Sequence, residues 1–367
     1  MGRVRLHAED VHRRAEAMME LREGMRVVIR YRSGDGATDA LGTVEATGRD
    51  TVTVATKRGE AVIPRADILL AHEVPPAPVR TGRPHQVLSA SSLRLVAAGA
   101  WLPPGSTWLN ADNVRAELTE SENFVQTGWL LRSMPAAGTR RANSALPVAS
   151  PGMPAAQALD ACEAWYRERG QEPQVQIYSA DSSGTLAAEC AELGPLLRER
   201  GYTPSAPTLA LTGSTREAAA GASRAAEAAL PGLRIEVADA PAEDYVTALG
   251  HAPGSPGREA YTTLLRGGEQ VQFLTAWAQH PDGSTTPVAR CRLAEVNRWA
   301  VVTNLITRPD LRRRGAGRAV VRAALATASG RGVRSYLAEV GADNAASLGL
   351  FESLGATVSQ RYWYAAR

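Results

Sequence analysis

The chain has 367 residues, 44% of them hydrophobic, enough to bury one large core or two to three smaller ones. Its net charge is only +3, from 41 basic against 38 acidic residues, and Lys57 is the single lysine, so the basicity is an arginine bias without a strong field for polyanions. There is no run of eighteen apolar residues and no charged-then-apolar leader, so neither a membrane span nor a secretion signal is expected.

Residues 8–22 read as an amphipathic helix that Gly24 stops. Four short strand-like runs follow at 26–32, 41–45, 51–55 and 60–63, separated by turn signals at about ten-residue spacing. Residues 64–68 predict a single turn before a last short strand. Over about 22–75 this pattern resembles an SH3-like or Tudor-like barrel. Tyr31 and its neighbouring arginines would offer such a barrel a binding face. From Met1 to Pro75, however, twelve basic residues balance twelve acidic ones, so nucleic acid is not expected as a partner and a docking or stabilising module is the plainer expectation.

Residues 76–87 are proline-rich and lack apolar periodicity, as an extended linker would. In the middle region, 88–213, helices are expected at 89–101, 155–170 and 193–202, and strands at 124–134, 139–148, 175–178 and 207–212. Residues 214–231 are alanine-rich and read as part helix, part linker. A final region, 232–367, opens with a strand at 233–237, helices at 242–249 and 256–267, and a hairpin of strands 271–278 and 287–296. Cys162, Cys190 and Cys291 lie far apart without metal-ligand spacing, which fits a reduced, cytoplasmic setting; the six histidines form no cluster, so no metal is expected.

The most informative stretch comes next. Val301, Val302, Leu305 and Ile306 belong to a buried strand over 299–307, which Pro309 ends. Arg312-Arg313-Arg314-Gly315-Ala316-Gly317 follows, and then an alanine-rich helix beginning with Arg318. Strand, glycine turn and helix in that order present free N–H groups and the positive end of a helix dipole to an anion such as phosphate. A strand at 336–340, a helix opened by Asn344 and closed by Gly355, and a last strand at 358–364 complete the chain.

This C-terminal third resembles the GCN5-related N-acetyltransferase (GNAT) family, on the strength of Arg312, Gly315, Gly317, Asn344, Leu350 and Gly355. Small barrels like the one at the N-terminus are found ahead of actinobacterial members. The resemblance implies a mixed α+β fold with acetyl-CoA as co-substrate. The pyrophosphate would sit on Arg312, Arg313, Arg314, Gly315, Ala316, Gly317 and Arg318, and the pantetheine arm along Leu305, Ile306 and Thr307. Asn344 would contact the pantetheine, cap the next helix, or do both. Phe351, also expected at the cofactor, stands where the family's tyrosine acid belongs. The middle region repeats the element order, but its loop carries Pro151 and Pro154, which remove N–H donors, so it reads as a degenerate half within a duplicated fold.

The implied chemistry is direct attack of a primary amine on the thioester, the acceptor being a small molecule or a protein. Glu295 and Glu339, on strands flanking the motif, are candidate bases, with a water relay as the alternative. Tyr362 and Tyr364, on one face of the last strand, are candidate acids, while Tyr336 reads as a packed aromatic. Two other functions stay open: a non-catalytic acyl-CoA-binding regulator, and a protein-lysine acetyltransferase targeted by its barrel.

Overall fold

The computed structural model describes residues 21–34, 36–56, 59–73, 84–110, 128–220 and 232–367. The chain divides into two compact units, Met1–Thr81 and Gly82–Arg367. The helix expected at 8–22 and most of the linker expected at 76–87 lie outside the described residues, as do the first residues of the strand expected at 124–134.

In the first unit, valine- and threonine-rich runs form an antiparallel sheet in the order β4-β3-β2-β1-β5, from β1 (Arg26–Ser33), β2 (Gly36–Thr47), β3 (Thr51–Thr56), β4 (Gly59–Pro64) and β5 (Ile68–Glu73). Alternation places Val27, Ile29, Val44, Val52, Val54 and Ile63 on one dry face. A 3-10 turn at Arg65–Asp67 carries the chain from β4 to β5, as residues 64–68 predict. The order has β4 and β5 at its two edges, so the sheet is open and not a closed barrel.

The second unit is one twelve-stranded sheet. Along it run β12-β13-β14-β15-β16-β11-β17-β9-β8-β7-β6, with β10 (Thr203–Pro204) attached to β17. Strands β6 (Thr107–Leu109), β7 (Trp129–Leu131), β8 (Ala145–Pro147), β9 (Gln174–Tyr178) and β11 (Thr208–Ser214) come from the middle of the sequence. Strands β12 (Leu233–Ala238), β13 (Gln270–Gln279), β14 (Thr285–Val296), β15 (Trp299–Thr307), β16 (Ser335–Gly341) and β17 (Thr357–Ala366) come from the last third. The expected strand over 139–148 is only partly extended, because Arg140–Ala142 coils into a 3-10 turn. Pro84–Val87, the end of the expected linker, is a helical turn whose His85 carbonyl accepts from Thr212.

Two parallel pairs mark the duplication. The helix Ala316–Gly330 joins β15 to β16, and the helix Ala155–Arg167 joins β8 to β9. A one-sequence reading would seat each copy's last strand beside its own parallel pair. Instead β11 pairs with β16, β17 pairs with β9, and β11 and β17 meet antiparallel at the centre. Each half therefore receives its last strand from the other, and the sheet crosses the expected boundary at 213–232 without a break. The fold is mixed α+β, with a parallel strand–helix–strand unit present twice, preceded by the five-stranded sheet.

Close packing at the seam has a specific requirement at Gly213, opposite Tyr336 in the β11–β16 register. A Cβ there would lie 2.6 Å from the Tyr336 ring, which is itself anchored by its hydroxyl donating to the Leu354 carbonyl at 3.3 Å. Below the other face lies Arg292, fully buried and without a carboxylate partner among the described residues. It donates to the carbonyls of Leu265 (2.7 Å), Ala100 (3.0 Å) and Gly267, at the C-terminal ends of the helices Arg258–Leu265 and Ala90–Gly99. Those are the negative ends of two helix dipoles, and they stand in for a counter-ion. Burial pulls its guanidinium down to about 10, still protonated at neutral pH. Among the described residues no helix is long and apolar enough to cross a membrane.

Two outcomes are expected. Arg292→Met would orphan the helix-end carbonyls and lower stability by about 2–5 kcal/mol, read as a lower denaturant midpoint. Gly213→Ala would lower it by about 1–3 kcal/mol through overpacking, and Tyr336→Leu in the same chain should restore part of the loss.

Candidate active site

The parallel pairing of β15 and β16 runs only from Trp299↔Ser335 to Val302↔Ala338. Beyond that point β15 continues to Thr307 and β16 to Gly341 without each other. The cause is local. Register with β14 shifts between Arg290↔Ile306 and Arg292↔Thr303, so β15 carries an extra residue. Asn304 occupies this bulge at φ 53°, a left-handed conformation that asparagine tolerates better than most residues. From residue 303 onward, the edge of β15 that faced β16 offers its N–H and C=O groups to a ligand instead.

That edge leads into the turn. After the 3-10 turn Pro309–Leu311, Arg313 (φ 64°) and Gly315 (φ 80°) are both left-handed, and the helix Ala316–Gly330 begins with no side-chain cap. Left-handed residues two apart gather successive amides on one side, and the first helical N–H groups have no partner within the helix. Gly317 lies so close to the end of β15 that a Cβ would stand 2.9 Å from Thr307 Oγ1. Arg312, Arg313 and Arg314 are exposed and Arg318 half-buried, while Arg308 pairs with Asp310 and holds its carboxyl below the usual range. Leu305 turns toward the core beneath the helix, and Ile306 and Thr307 close the strand.

The corresponding loop of the middle region is built differently. Val148 and Ala149 donate their N–H groups to the Gly128 carbonyl (3.2 and 3.1 Å), and Gly152 donates to Ser150 Oγ. With Pro151 and Pro154 in the same loop, few amides remain for an anion.

The other candidates separate. Asn344 is exposed and caps the helix Ala345–Glu352, its Oδ1 accepting from Ser347 N at 3.1 Å, which leaves its Nδ2 for a further contact. Phe351 is buried in the core cluster against which Leu305 and Leu350 also pack. Tyr336 is a packed aromatic, as expected. Glu295 sits beside the β14–β15 turn, ion-paired with Arg331 at the C-terminal end of the Ala316–Gly330 helix. The arginine turn is at that helix's opposite end, so Glu295 is not brought to the site.

Glu339 is brought near it, on β16 just past the parting, but it is ion-paired twice. Arg94 lies 2.7 Å away and Arg141 3.1 Å. Burial would push its carboxyl up, yet the two guanidinium groups outweigh burial and hold it below the usual carboxylate range. A carboxylate so held is a weak proton acceptor near neutral pH. Tyr362 and Tyr364 are buried edge-to-face beside it, 5.8 Å between ring centres, and burial raises both phenols.

Several residues here escaped sequence reasoning. Asn304 donates to the Tyr261 hydroxyl at 3.1 Å, and its Oδ1 is buried without a partner. Tyr261 stacks on His251, 4.1 Å between centres, and leans on Trp101. An asparagine in a β-branched strand is the one signal that pointed here, since asparagine is depleted in strands.

Residues 243–356 match the model of the acetyltransferase (GNAT) family. No curated protein matches the chain. Among solved structures, a tandem GNAT protein from the clavulanic acid biosynthesis pathway is 12% identical, with a TM-score of 0.45 over 61% of this chain and 74% of that one. A GCN5-related N-acetyltransferase from Kribbella flavida is 17% identical, with a TM-score of 0.43 over 67% and 88%. One from Sphaerobacter thermophilus is 16% identical, with a TM-score of 0.42 over 61% and 72%. The second unit has the mixed α+β fold expected of that family, and its segment 243–356 matches the family's model.

Proposed function

We propose that this chain is an acetyl-CoA-dependent N-acetyltransferase acting on a primary amine, with residues 232–367 as the catalytic half and 88–213 as a half that holds no CoA. One observation carries the reading: the freed edge of β15 runs directly into an uncapped helix N-terminus lined by arginine. An extended pantetheine arm pairs with backbone groups of Leu305 to Thr307, and its pyrophosphate meets the amides and arginines of 312–318. Asn344 Nδ2 reaches the same arm from its capping position.

In this arrangement the amine nitrogen attacks the thioester carbon, and a β15 amide near the bulge polarises the carbonyl. The C–S bond then breaks, CoA leaves as the thiolate and is protonated by water, and the extra proton of the ammonium also passes to water. Asn304 Oδ1, an acceptor without a donor, suits an N–H of the incoming amine. The open sheet of the first unit is assigned as an SH3-like docking module. A second reading, an acyl-CoA-binding regulator, is favoured by Phe351, which supplies no proton at the tyrosine's place.

The test is calorimetry with acetyl-CoA, alongside thiol release over a panel of amines. Wild type should bind. Gly315→Asp with Gly317→Asp, which places two carboxylates against the pyrophosphate, should weaken binding by about a hundredfold or more. Thiol release with an acceptor supports transfer, and binding without release from any amine favours the regulator. Absence of binding by wild type would refute both.

A further inference from the structure

Beside the parted strands lies a buried cluster whose charges do not cancel. Arg94 comes from the helix Ala90–Gly99, Arg132 follows β7, and Arg141 sits in the 3-10 turn Arg140–Ala142; all three belong to the middle region. Glu339, on β16, is the one carboxylate paired with them among the described residues. Tyr362 and Tyr364, on the exchanged strand β17, complete the wall. Three guanidinium groups thus face one carboxylate, in a setting where each charge is costly to bury unless compensated.

The hydrogen bonds are also incomplete. Arg132 is satisfied by the Ser144 carbonyl, Ser144 Oγ and Gln176 Oε1, at 2.8 to 3.1 Å. Arg94 is not. Its side chain is fully buried and lies 4.5 Å over the Tyr362 ring, but only one nitrogen finds Glu339, and its Nε and Nη2 have no partner. The Tyr364 hydroxyl, in a side chain more than nine-tenths buried, has none either. Two N–H donors and a phenol thereby stand unanswered next to an excess of positive charge. An oxyanion answers all three at once.

The cluster reaches the surface at Arg141. Arg141 is one-third exposed, bridges Glu339 to the Tyr362 hydroxyl (3.5 Å), and lies 5.7 Å from the ring centre of Trp101. Trp101 in turn leans on Tyr261, which holds Asn304 at the bulge. Arg141 thus touches both Glu339 and Trp101, so cluster and bulge lie on the same side of the sheet.

We infer that the acceptor amine carries a carboxylate or similar oxyanion, which the Arg94–Arg141–Tyr364 cluster binds while the amine reaches Asn304 at the bulge. This deepens the acetyltransferase reading and rests on it for the amine. The anion site itself stands on the cluster alone. It also gives the middle region a part in the site: both arginines that hold the acceptor, Arg94 and Arg141, come from outside residues 243–356.

The experiment pairs amines that differ only in charge: glycine with glycinamide, β-alanine with its amide, and glutamate with isoglutamine and glutamate diamide. Binding of each is measured by calorimetry and acetyl-CoA-dependent thiol release by kinetics, for wild type, Arg141→Gln and Arg141→Lys. Thermal melting confirms that each variant is folded. The expected result is heat and turnover with acids but not with their fully amidated partners. Arg141→Gln should raise KM for the acid by about tenfold to a hundredfold, with kcat and acetyl-CoA affinity little changed, and Arg141→Lys should recover part of the loss. Equal use of acids and amides, or an unchanged KM in Arg141→Gln, would overturn the inference. So would the absence of heat from any acid with wild type, whether or not acetyl-CoA binds. Acid binding lost in Arg141→Gln, in a protein that does not bind acetyl-CoA, would uphold the anion site and sink the acetyltransferase reading.

Discussion

The parting of β15 from β16 after Val302 and Ala338 is the constraint on which the rest of the site depends. A parallel pair inside a large sheet normally stays paired to its ends, because each unpaired backbone group in a buried place costs free energy. Here the bulge at Asn304 adds a residue to β15 opposite β14, and beyond Val302 the edge of β15 is no longer paired with β16. That edge runs directly into the arginine turn and the uncapped start of the helix Ala316–Gly330. The same bulge aims Asn304 at Tyr261 and leaves its second amide atom free.

Strand exchange gives the parting its surroundings. β11 occupies the far side of β16, so β16 is held in the sheet even where it has left β15. β17 is carried across to β9, which sets Tyr362 and Tyr364 against Arg94 and Glu339. The middle region's loop has several of its amides taken by Gly128 and Ser150, and the region supplies Arg94, Arg132 and Arg141. Arg292 fixes the floor below, where two helix C-termini converge on one guanidinium. The two copies thus differ: the arginine–glycine turn lies in one, and the buried arginines around Glu339 come from the other.

Much of this was legible along the chain. The strand, turn and helix around 312–318 were legible because the residues that build them are contiguous. The N-cap of Asn344 and the packed Tyr336 were read from their positions for the same reason. Glu295 and Glu339 looked equivalent, each a carboxylate on a flanking strand. They are separated only by which arginine packs against each: Arg331 at the far end of a helix for one, and Arg94 and Arg141 from the other half for the other. No spacing rule carries that difference, since the partners are up to 245 residues apart.

What the amino-acid order determined by itself is the set of local units: the alternating strands, the helices with their caps, and the glycine–arginine turn, all governed by interactions within a few residues. It also placed Pro151 and Pro154 in the middle region's loop, and a proline removes an N–H group wherever it stands. The tertiary structure alone decided which half receives which last strand, where β15 leaves β16, and how three arginines come to face one carboxylate. Those outcomes depend on packing and pairing between segments far apart in sequence, where many arrangements satisfy the same local preferences and only the assembled sheet selects one.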